Sequence, residues 1–546
     1  ENITSAAPLY AQQLKTRTGK ELTALLRQPA PTFTSVKTFV LPAGKPLPEA
    51  TEPALQIVNG RFVIGNKTAW GGSVNDAWWM GQTSPSVAPD AGISITRFVP
   101  GRIGPGLTED LPQLAQRMQK QETPFYQSGP CLWYDRRRDD HTIGAYDRNV
   151  WAPFYEMPWA RTGRDTAWDG LSKFDLSQYN PWFYNRTKEF AALAEKHRFV
   201  LYHSLYNTHN VLEIGAHWAD YPWRPANNIN QTGVPEPPPL EPNNRLHIAN
   251  QTYSTEHAGQ EKLHKDFILH VLDELGEYRN IIFNVSFQFA GPLSFQHFFI
   301  QTVDEWVEKN KKPVRLSLAT SKDITDAILA DPKLAKHVAV IDMRYWQYRP
   351  DGKLFAPPGG KNLAFREMIG KEFRGYNDAP PATTPEQAYR QVREYRDRFP
   401  DKAIVAWHNG VTGIPALMAG AAQVLNQNPT AGHGQGRTVD KTGFDAFVQQ
   451  YLATVLHSML PVDNVLQHPE RNWRLADKEE KNVLLYSLAN ETLQLKKSLK
   501  GSSYEGTWYN PKNGSVIPAS ILNTQAGAVI EKPGPEEWLL YLKAKE

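Results

Sequence analysis

The 546-residue sequence has one cysteine, Cys131, so no intrachain disulfide can form. Pro130 and Leu132 flank it, which favours a buried thiol over a nucleophilic one. No apolar run reaches the length of a membrane span. A glycine-rich phosphate loop of the G-x-G-x-x-G or G-x-x-x-x-G-K type is also missing in front of every predicted helix. That absence removes the usual reason for a nucleotide-binding open sheet.

The sequence also lacks a large excess of charge of one sign, because 60 Lys and Arg residues nearly balance 57 Asp and Glu residues. The formal net charge is +3. The densest basic run is Arg136–Arg138, and Asp135, Asp139 and Asp140 offset it at once. Such a balance provides no long-range field for a phosphate backbone or an anionic membrane surface. The sequence therefore predicts no nucleic-acid partner.

Aromatic residues, by contrast, are abundant: they form 11% of the chain, with 16 Trp and 22 Tyr. Many stand next to Asn, Asp, Arg or His instead of inside apolar runs. Pyranose rings stack their C–H faces on aromatic rings, while their hydroxyls need polar neighbours. For any single Trp, packing in a large core is the better explanation. The number of mixed aromatic and polar clusters nevertheless favours a carbohydrate partner, either an oligosaccharide or a polysaccharide.

Alternating strands and helices predict an α/β fold, a (β/α)8 TIM barrel with an N-terminal extension and a C-terminal β-sandwich. The predicted domains are 1–54, a helix and an extended proline-rich arm; 55–470, the barrel; and 471–546, the sandwich. An Asn59-Gly60 turn predicts a hairpin at Leu55–Ile64. The predicted barrel strands are Ile93–Phe98, Phe125–Trp133, Phe199–Tyr206, Ile281–Phe289, Val314–Thr320, Val338–Tyr345 and Ala403–Trp407, with an eighth near Phe444–Leu460.

Helices are predicted between these strands, where apolar residues recur at helical spacing. They cover Leu111–Gln121, Pro181–His197, Leu263–Arg279, Phe298–Lys309, Pro385–Arg398 and a segment around Pro415–Leu425. A further helix is predicted at Ala11–Arg27, in the N-terminal extension. After Asp477 the pattern changes to short strands separated by Lys-Gly, Asn-Gly and Pro-Gly turns, as expected of an all-β unit.

The fourth predicted strand carries the most informative side chain, because Gln288 stands near its end, just before the Gly291-Pro292 break. The carboxyl ends of barrel strands form the mouth of the active site. A glutamine there can orient a sugar or position a water molecule, but it cannot deliver a proton as a glutamic acid does. The residue therefore argues more strongly for a carbohydrate site than for one particular reaction.

Two sets of motifs resemble a known group of proteins. The segments Gly506-Thr507-Trp508-Tyr509-Asn510-Pro511-Lys512-Asn513-Gly514 and Glu536–Leu542 resemble the small C-terminal β-sandwich, sometimes labelled a putative collagen-binding domain, of bacterial clan A glycoside hydrolases, including apiosidase-like enzymes. The motifs His209-Asn210-x-x-Glu213, His217-x-x-Asp220, Pro222-Trp223-Arg224-Pro225 and Asp342-x-Arg344-Tyr345-Trp346 resemble bacterial relatives of unassigned function in that group.

The resemblance implies a glycoside hydrolase with a glutamate acid/base after strand four and a glutamate nucleophile after strand seven. This chain has Gln288 at the first place and no carboxylate in Ala403–Gly410 at the second. Asp342 and Glu213, followed by Asp139 and Asp140, are the remaining candidates. We therefore predict catalytic roles for Gln288, Asp342 and Glu213. The predicted substrate-binding residues are His203, Asn207, His209, Arg137, Asp139, Tyr345, Trp346, His408 and Asn409.

Several alternatives stay open from the sequence. Asp342 could brace its strand end through Arg344 instead of acting on substrate. The protein could bind glycans without cleaving them, or could be a polysaccharide lyase that draws on His203, His209 and Arg137. His209, Glu213 and His217 could hold a metal if they lay on one helix, but loop hydrogen bonding accounts for them as well. No cofactor is predicted.

The residue Glu1 opens the sequence in place of an initiator methionine, as in a chain from which an export signal has been removed. Together with the carbohydrate hypothesis, this leads us to expect a secreted or periplasmic protein. The substrate that we expect is a complex polysaccharide, such as one of a plant cell wall.

Overall fold

The fold was examined in a computed structural model. It describes residues 54–74, 94–95, 103–104, 111–128, 157–167, 172–206, 211, 221–234, 249–287, 289, 291–359, 382–408, 411–425, 443–519 and 523–545. The predicted N-terminal helix lies outside this part of the chain.

The strands are numbered in chain order. They are β1 (Leu55–Val58), β2 (Arg61–Ile64), β3 (Lys67–Thr68), β4 (Ser73–Val74), β5 (Ser94–Ile95), β6 (Ile103–Gly104), β7 (Phe125–Ser128), β8 (Trp159–Arg161), β9 (Phe174–Tyr179), β10 (Val200–Ser204), β11 (Ile281–Asn284), β12 (Leu316–Leu318), β13 (Val338–Met343), β14 (Gln347–Tyr348), β15 (Leu354–Phe355), β16 (Ala403–Trp407), β17 (Gln423–Leu425), β18 (Leu460–Pro461), β19 (Asn472–Ala476), β20 (Asn482–Ser487), β21 (Tyr504–Tyr509), β22 (Val516–Ala519) and β23 (Trp538–Ala544).

The α-helices are α1 (Leu111–Lys120), α2 (Pro181–His197), α3 (Ala258–Leu275), α4 (Leu293–Asn310), α5 (Lys322–Ala330), α6 (Pro332–Ala335), α7 (Pro385–Arg396), α8 (Ile414–Met418) and α9 (Gly443–Phe447). Helix α7 shows why these segments fold as they do. Thr384 caps its first turn by accepting a hydrogen bond from the Gln387 amide at 3.3 Å, and Pro385 occupies the first helical position. Arg393 and Arg396 lie in the last turn, where positive charge favours the helix dipole.

Eight parallel strands form the central sheet, in the order β4-β7-β10-β11-β12-β13-β16-β17. This order follows the chain without a reversal. Right-handed crossovers then place every connecting helix on the same side of the sheet. The sheet can bury its other side only if it curls into a barrel. A doubly wound sheet would reverse its strand order near the middle. The topology is therefore that of a TIM-barrel-like domain.

Side-chain contacts show how far the sheet curls. The Tyr202 hydroxyl of β10 lies 3.4 Å from Oε1 of Gln423 in β17, although five strand spacings separate these strands along the sheet. In a flat sheet that separation would be about 24 Å. The two strands thus face each other across an interior.

Alternation along the strands divides the side chains into two layers. Phe125, Tyr202, Ile282, Val340 and Val405 belong to an apolar cluster inside the sheet. Their neighbours in the strands pack between the sheet and the helices, and they include Tyr126, Leu201, Ile281, Phe283, Ile341, Ile404 and Ala406. The interior is thus a packed core, as expected of a small barrel.

A hairpin of β1 and β2 closes the amino-terminal end of this interior. Its turn residues have positive φ, 49° at Asn59 and 71° at Gly60, as the predicted Asn-Gly turn requires. The Leu55 amide donates to Oδ1 of Asn280, just before β11, at 2.8 Å. On the opposite side, Arg61 donates to the Leu417 carbonyl at 3.0 Å and to the Ala421 carbonyl. The predicted hairpin is confirmed, and it bridges the barrel.

The C-terminal part of the chain forms a six-stranded antiparallel sheet, in the order β18-β19-β20-β23-β21-β22. One face packs against the barrel and includes Trp473, Tyr486 and Tyr541. The other face packs with Leu493, Leu495, Leu499 and Ile530 in a separate core, as does its own Trp508. Isolated bridges Leu466↔Leu495 and Gln494↔Val529 add a second layer there. This arrangement is consistent with the predicted sandwich.

Helix α7 provides much of the contact between the barrel and this sheet. The Tyr389 and Trp473 rings stack with centroids 4.5 Å apart and planes 6° from parallel. Arg393 holds Asp463 with two hydrogen bonds of 2.8 Å. Aromatic stacking and a bidentate ion pair fix orientation as well as distance, so the sheet is attached to the barrel in one defined way.

Two predicted barrel strands are corrected by the structure. The first barrel strand is predicted at Ile93–Phe98, but in the structure it is β4. Of the predicted segment, the described residues Ser94–Ile95 pair antiparallel with Ile103–Gly104, outside the barrel sheet. The eighth is β17, and the predicted segment Phe444–Leu460 is instead mostly helical. Its apolar residues Phe444, Phe447, Val448 and Leu452 are buried at helical spacing. Among the residues described, no helix is both long and apolar enough to cross a membrane.

Candidate active site at the barrel mouth

Polar side chains face the interior, most of them near the carboxyl ends of the strands. Counting in steps of two from the interior apolar residues gives Gln127 in β7, Ser204 in β10, Asn284 in β11, Asp342 in β13 and Gln423, the first residue of β17. The β11 and β13 residues lie in the fourth and sixth strands of the sheet. The arrangement follows the TIM-barrel rule that an active site forms at this end.

Asp342 and Arg344 form a buried ion pair at the end of β13. Nε of Arg344 lies 2.9 Å from Oδ1 and 3.0 Å from Oδ2 of Asp342, and the guanidinium Nη2 also contacts Oδ2. The Asp342 residue is 2% exposed. Burial alone would lower the pKa of Arg344, but the Asp342 charge, the hydrogen bond to Asp342 and the neighbouring Tyr345 and Tyr202 together outweigh it and raise that pKa. The Arg344 guanidinium therefore remains charged inside the mouth.

The segment after β11 closes over this pair. The Arg344 guanidinium carbon lies 5.2 Å from the centroid of the Phe287 ring, a distance at which the cation is attracted to the ring face. Tyr345 donates its hydroxyl to the Phe287 carbonyl. The end of the sixth strand is thus tied to the backbone immediately before Gln288. Gln288 itself lies outside the described residues.

Two amides in the interior are oriented by hydroxyl groups. Ser204 donates its hydroxyl to Oδ1 of Asn284 at 2.6 Å, and Tyr202 donates to Oε1 of Gln423 at 3.4 Å. The amide nitrogens at the other ends, Nδ2 of Asn284 and Nε2 of Gln423, are buried and have no hydrogen-bond partner in the described part of the chain. Buried donors without partners are unusual in native proteins and point to a missing ligand or water.

Tyr202 joins this cluster to the ion pair. Burial, and then the nearby Asp342 charge, raise its pKa well above the ordinary value of 10, while Arg344 acts in the opposite direction. The phenol therefore stays protonated at neutral pH and remains a hydrogen-bond donor. Its ring also contacts Phe287, with centroids 6.2 Å apart.

His203, predicted to bind substrate, belongs to the outer layer. It pairs in register with Ser128 and Phe283, and its ring meets the Phe283 ring edge-on at 6.1 Å. Burial lowers its pKa to about 4. The side chain thus faces the helices. His203 is therefore not placed to act as the base in the lyase alternative.

His408 and Trp346 lie against helices α5 and α7. The His408 Nε2 atom is 3.1 Å from Oε1 of Gln391, and the Gln391 amide donates to the Trp346 carbonyl at 2.7 Å. The Trp346 ring packs 5.7 Å from the Tyr395 ring and 4.9 Å from the Lys322 ammonium. Burial lowers the pKa of His408 to about 4. Both residues support the outside of the strands instead of lining the interior.

The remaining predicted site residues lie outside the described residues, and their roles stay predictions. They are Gln288, Glu213, Asn207, His209, Arg137, Asp139 and Asn409. The same holds for the possible metal ligands His209, Glu213 and His217. In the part of the chain that is described, no three His, Cys, Asp or Glu side chains lie together as metal ligands would.

Sequence reasoning missed Tyr202, Asn284 and Gln423. The first two could have been found by counting alternate positions from the apolar residues of the predicted strands, since Val200 and Ile282 share their face. Gln423 could not, because its strand was not recognised.

Eight parallel strands in chain order, with polar side chains facing their interior, define a TIM-barrel-like domain. The chain matches the family described as "Domain of unknown function (DUF6298)" over residues 28–432. It therefore belongs to this family. No curated protein matches the chain.

Solved structures with some likeness to this chain include a protein titled "Glycoside hydrolase", with 9% identity, a TM-score of 0.47, and coverage of 90% of this chain and 97% of that one. A glycoside hydrolase family 5 protein from Bacteroides vulgatus has 9% identity, a TM-score of 0.48, and coverage of 90% and 94%. A GH30 endoxylanase from Clostridium papyrosolvens has 8% identity, a TM-score of 0.38, and coverage of 90% and 98%. Values this low carry no argument about the activity of this chain.

Proposed function

We propose that this protein is a glycoside hydrolase that acts on a polysaccharide or its oligosaccharides. The observation that carries the proposal is the buried Asp342–Arg344 pair, which faces the interior at the carboxyl end of the sixth barrel strand. A carboxylate in this position is a hydrogen-bond acceptor that can activate water or stabilise positive charge at an anomeric carbon. The motifs that resemble clan A glycoside hydrolases support the same reaction.

Groups around the pair suit a sugar. The unpartnered amide nitrogens of Asn284 and Gln423 can donate to sugar hydroxyl oxygens. The Phe287 ring next to Arg344 provides an apolar face for ring stacking. Gln288 follows Phe287 directly, so we propose that it fixes the substrate where related enzymes place their acid/base glutamate.

In the proposed reaction the glycosidic C–O bond breaks, water supplies a hydroxyl group to the anomeric carbon, and a proton passes to the leaving oxygen. We assign the base or charge-stabilising role to Asp342 and the proton-donating role to Glu213. Tyr202 remains protonated beside Asp342 because burial raises its pKa, so it can keep the Gln423 amide oriented by donating to Oε1. A plant cell-wall polysaccharide as substrate and a secreted or periplasmic location are further parts of the proposal.

The test is a panel of xylan, xyloglucan, mannan, pectin and arabinogalactan, incubated with purified protein and followed by chromatography and mass spectrometry of released sugars. We expect release from at least one polymer and its loss in Asp342→Asn, with thermal unfolding measured to show that this variant is folded. Gln288→Glu is assayed in parallel, because it restores a carboxyl group at the strand-four position. If neither the natural chain nor Gln288→Glu releases sugar, the hydrolase proposal fails.

A second function, glycan binding without cleavage, is favoured by one observation. Both carboxylate oxygens of Asp342 already accept hydrogen bonds from Arg344, which leaves less of the carboxylate free for catalysis. Titration calorimetry with oligosaccharides, combined with analysis of the same samples for products, separates the two functions. Heat of binding with intact sugars supports the binding protein, whereas shortened sugars support the hydrolase.

A further inference from the structure

A cavity of about 330 Å³ lies between the barrel and the C-terminal sheet. From the barrel side it is lined by Thr412, Gly443 and Phe444, among others. From the sheet side it is lined by the hairpin between β21 and β22, hereafter the 509–514 hairpin. The volume lies at the lower end of the range of about 300–1,000 Å³ that is common for small-molecule sites.

One wall of the cavity lies on the same side of the barrel as the proposed active site. Thr412 comes soon after the carboxyl end of β16. This end points toward the mouth because the whole sheet is parallel. A ligand bound at the mouth could therefore continue past Thr412 toward the 509–514 hairpin.

The hairpin wall is held in one conformation by its own hydrogen bonds. Oδ1 of Asn510 accepts the Lys512 amide at 2.8 Å and the Asn513 amide at 3.4 Å. The Gly514 amide donates to the Asn510 carbonyl at 2.8 Å, and a φ of 72° at this glycine completes the turn. A wall that is already ordered loses little entropy when it binds a ligand.

The barrel wall is braced by the sheet. Thr412 and Tyr486 are joined by a side-chain hydrogen bond, and the Tyr486 hydroxyl donates to Glu537. This contact fixes the loop after the seventh barrel strand against the C-terminal sheet. Both walls of the cavity are therefore set before any ligand arrives.

The lining combines an apolar base with polar groups at its edge. The Phe444 and Tyr509 rings lie 5.8 Å apart and are buried. Lys512 and Asn513 are exposed at the hairpin tip, and Lys512 forms no ion pair with a described residue. Oδ1 of Asn513 accepts the Ser515 amide at 2.9 Å, which directs its amide nitrogen away from that bond. Rings beside hydrogen-bond donors suit a sugar unit.

We infer that this cavity is a second saccharide subsite, which binds a sugar unit of a longer chain while another unit occupies the barrel mouth. The inference rests on the proposed carbohydrate function and deepens it, because it assigns the C-terminal sheet a part in substrate binding. Lys512 and Asn513 are its specificity-determining residues.

The experiment measures the affinity of the full-length protein for cellohexaose, xylohexaose and mannohexaose, and for the three matching trisaccharides, by calorimetry. Lys512→Ala and Asn513→Ala remove the polar edge, and Gly443→Leu fills the cavity from the barrel side. Gly443 is a usable site because a Cβ there would meet two cavity-lining residues, the Tyr509 hydroxyl at 3.3 Å and Cα of Gly514 at 3.6 Å, so a larger side chain projects into the cavity. Lys497→Ala is the matched control, since this exposed lysine lies on the other side of the sheet.

We expect each of the three cavity variants to weaken hexasaccharide binding by about fivefold or more, because Lys512→Ala and Asn513→Ala each lose one hydrogen bond and Gly443→Leu occupies the space of the sugar. Trisaccharide binding, and the binding of both lengths by the control variant, should be unchanged. Equal losses for both chain lengths, or no loss, would overturn the subsite. Sugar release is measured separately. If the protein hydrolyses polysaccharide and the cavity variants do not change the rate, the subsite is disproved and the hydrolase proposal stands. If binding depends on the cavity but no sugar is released, the subsite is supported and the hydrolase proposal is disproved.

Discussion

Tyr345 donates a hydrogen bond from its hydroxyl to the carbonyl of Phe287. This hydrogen bond joins the end of the sixth barrel strand to the turn after the fourth. Both strands supply residues of the proposed site, Asp342 from one and Gln288 from the other. Since Phe287 immediately precedes Gln288 in the sequence, we expect the phenol to fix the backbone from which that amide side chain projects. Positioning of this kind is what a catalytic pair requires from its supporting residues.

Removal of this hydroxyl in Tyr345→Phe should therefore cost about 1 kcal/mol of stability, because the partly buried Phe287 carbonyl loses a donor. The variant should also lower kcat more than it raises KM. Chemical denaturation and kinetics on the substrate found in the panel measure the two effects. Tyr348→Phe is the matched control, because its hydroxyl bonds Glu394 at 2.7 Å on the helix side. A kcat equal to that of the control would contradict the positioning role.

The Asp342–Arg344 pair should show strong coupling. Removing one partner alone, in Asp342→Leu or Arg344→Met, should cost about 3–5 kcal/mol, because a charge is left buried without its counterpart. The double variant should be less destabilised than the sum of the two single variants. Denaturant unfolding of all four proteins completes the cycle. If the two single effects add up to that of the double variant, the interaction between Asp342 and Arg344 contributes nothing to the free energy of unfolding.

Buried histidines predict a pH dependence of stability. Burial lowers the pKa of His203 and of His408 to about 4, so the unfolded chain binds more protons than the folded chain between roughly pH 4 and pH 6.5. Stability is therefore fully present above pH 6.5 and declines as the pH falls through this window. Each histidine contributes a slope of up to about 1.4 kcal/mol per pH unit.

Urea midpoints measured from pH 7 to pH 4.5 test this dependence. The natural chain is compared with His203→Phe, which removes one titrating group from the apolar layer. The variant should show a shallower decline than the natural chain. Parallel curves for the two proteins would mean that His203 does not remain neutral in the folded state.

The Asn59-Gly60 turn offers a comparison of two glycines with nearly equal backbone angles. Gly60 has a φ of 71° and Gly163 a φ of 70°. A Cβ at Gly60 would lie 1.9 Å from Nη1 of Arg396, whereas one at Gly163 would have nothing within 4 Å. Gly163→Ala should thus cost only the conformational penalty of about 1–2 kcal/mol, and Gly60→Ala clearly more. Equal unfolding temperatures for the two variants would contradict this account.

Much of the fold could be predicted from the sequence, and the exceptions have a physical cause. Long helices such as Pro181–His197, and strands such as Val338–Met343, carry several turns or alternations of apolar residues, so their period is legible. Strands β4 and β17 have two and three residues, too few to show any period. The eighth strand follows the apolar helix α8 so closely that the two segments read as one.

The candidate site was predictable only in part, because the end of a strand does not reveal which way a side chain points. Asp342 was chosen as a strand-end residue and does face the interior. His203 was chosen in the same way, but it shares its face with Leu201 and Phe283 and points toward the helices. A shift of one residue along a strand moves a side chain to the opposite face. Only the pairing of neighbouring strands fixes that parity.

The hairpin that closes the amino-terminal end of the barrel has a consequence for synthesis in the cell. Its Arg61 side chain bonds the Ala421 carbonyl, 360 residues further along the chain. At about 5–20 residues per second, a ribosome needs roughly 20–70 s to make that partner. During this interval the apolar side chains of Leu55 and Phe62 lack the last members of their cluster, Ala422 and Leu425. The hairpin therefore closes the amino-terminal end of the barrel only after the last strands have emerged from the ribosome.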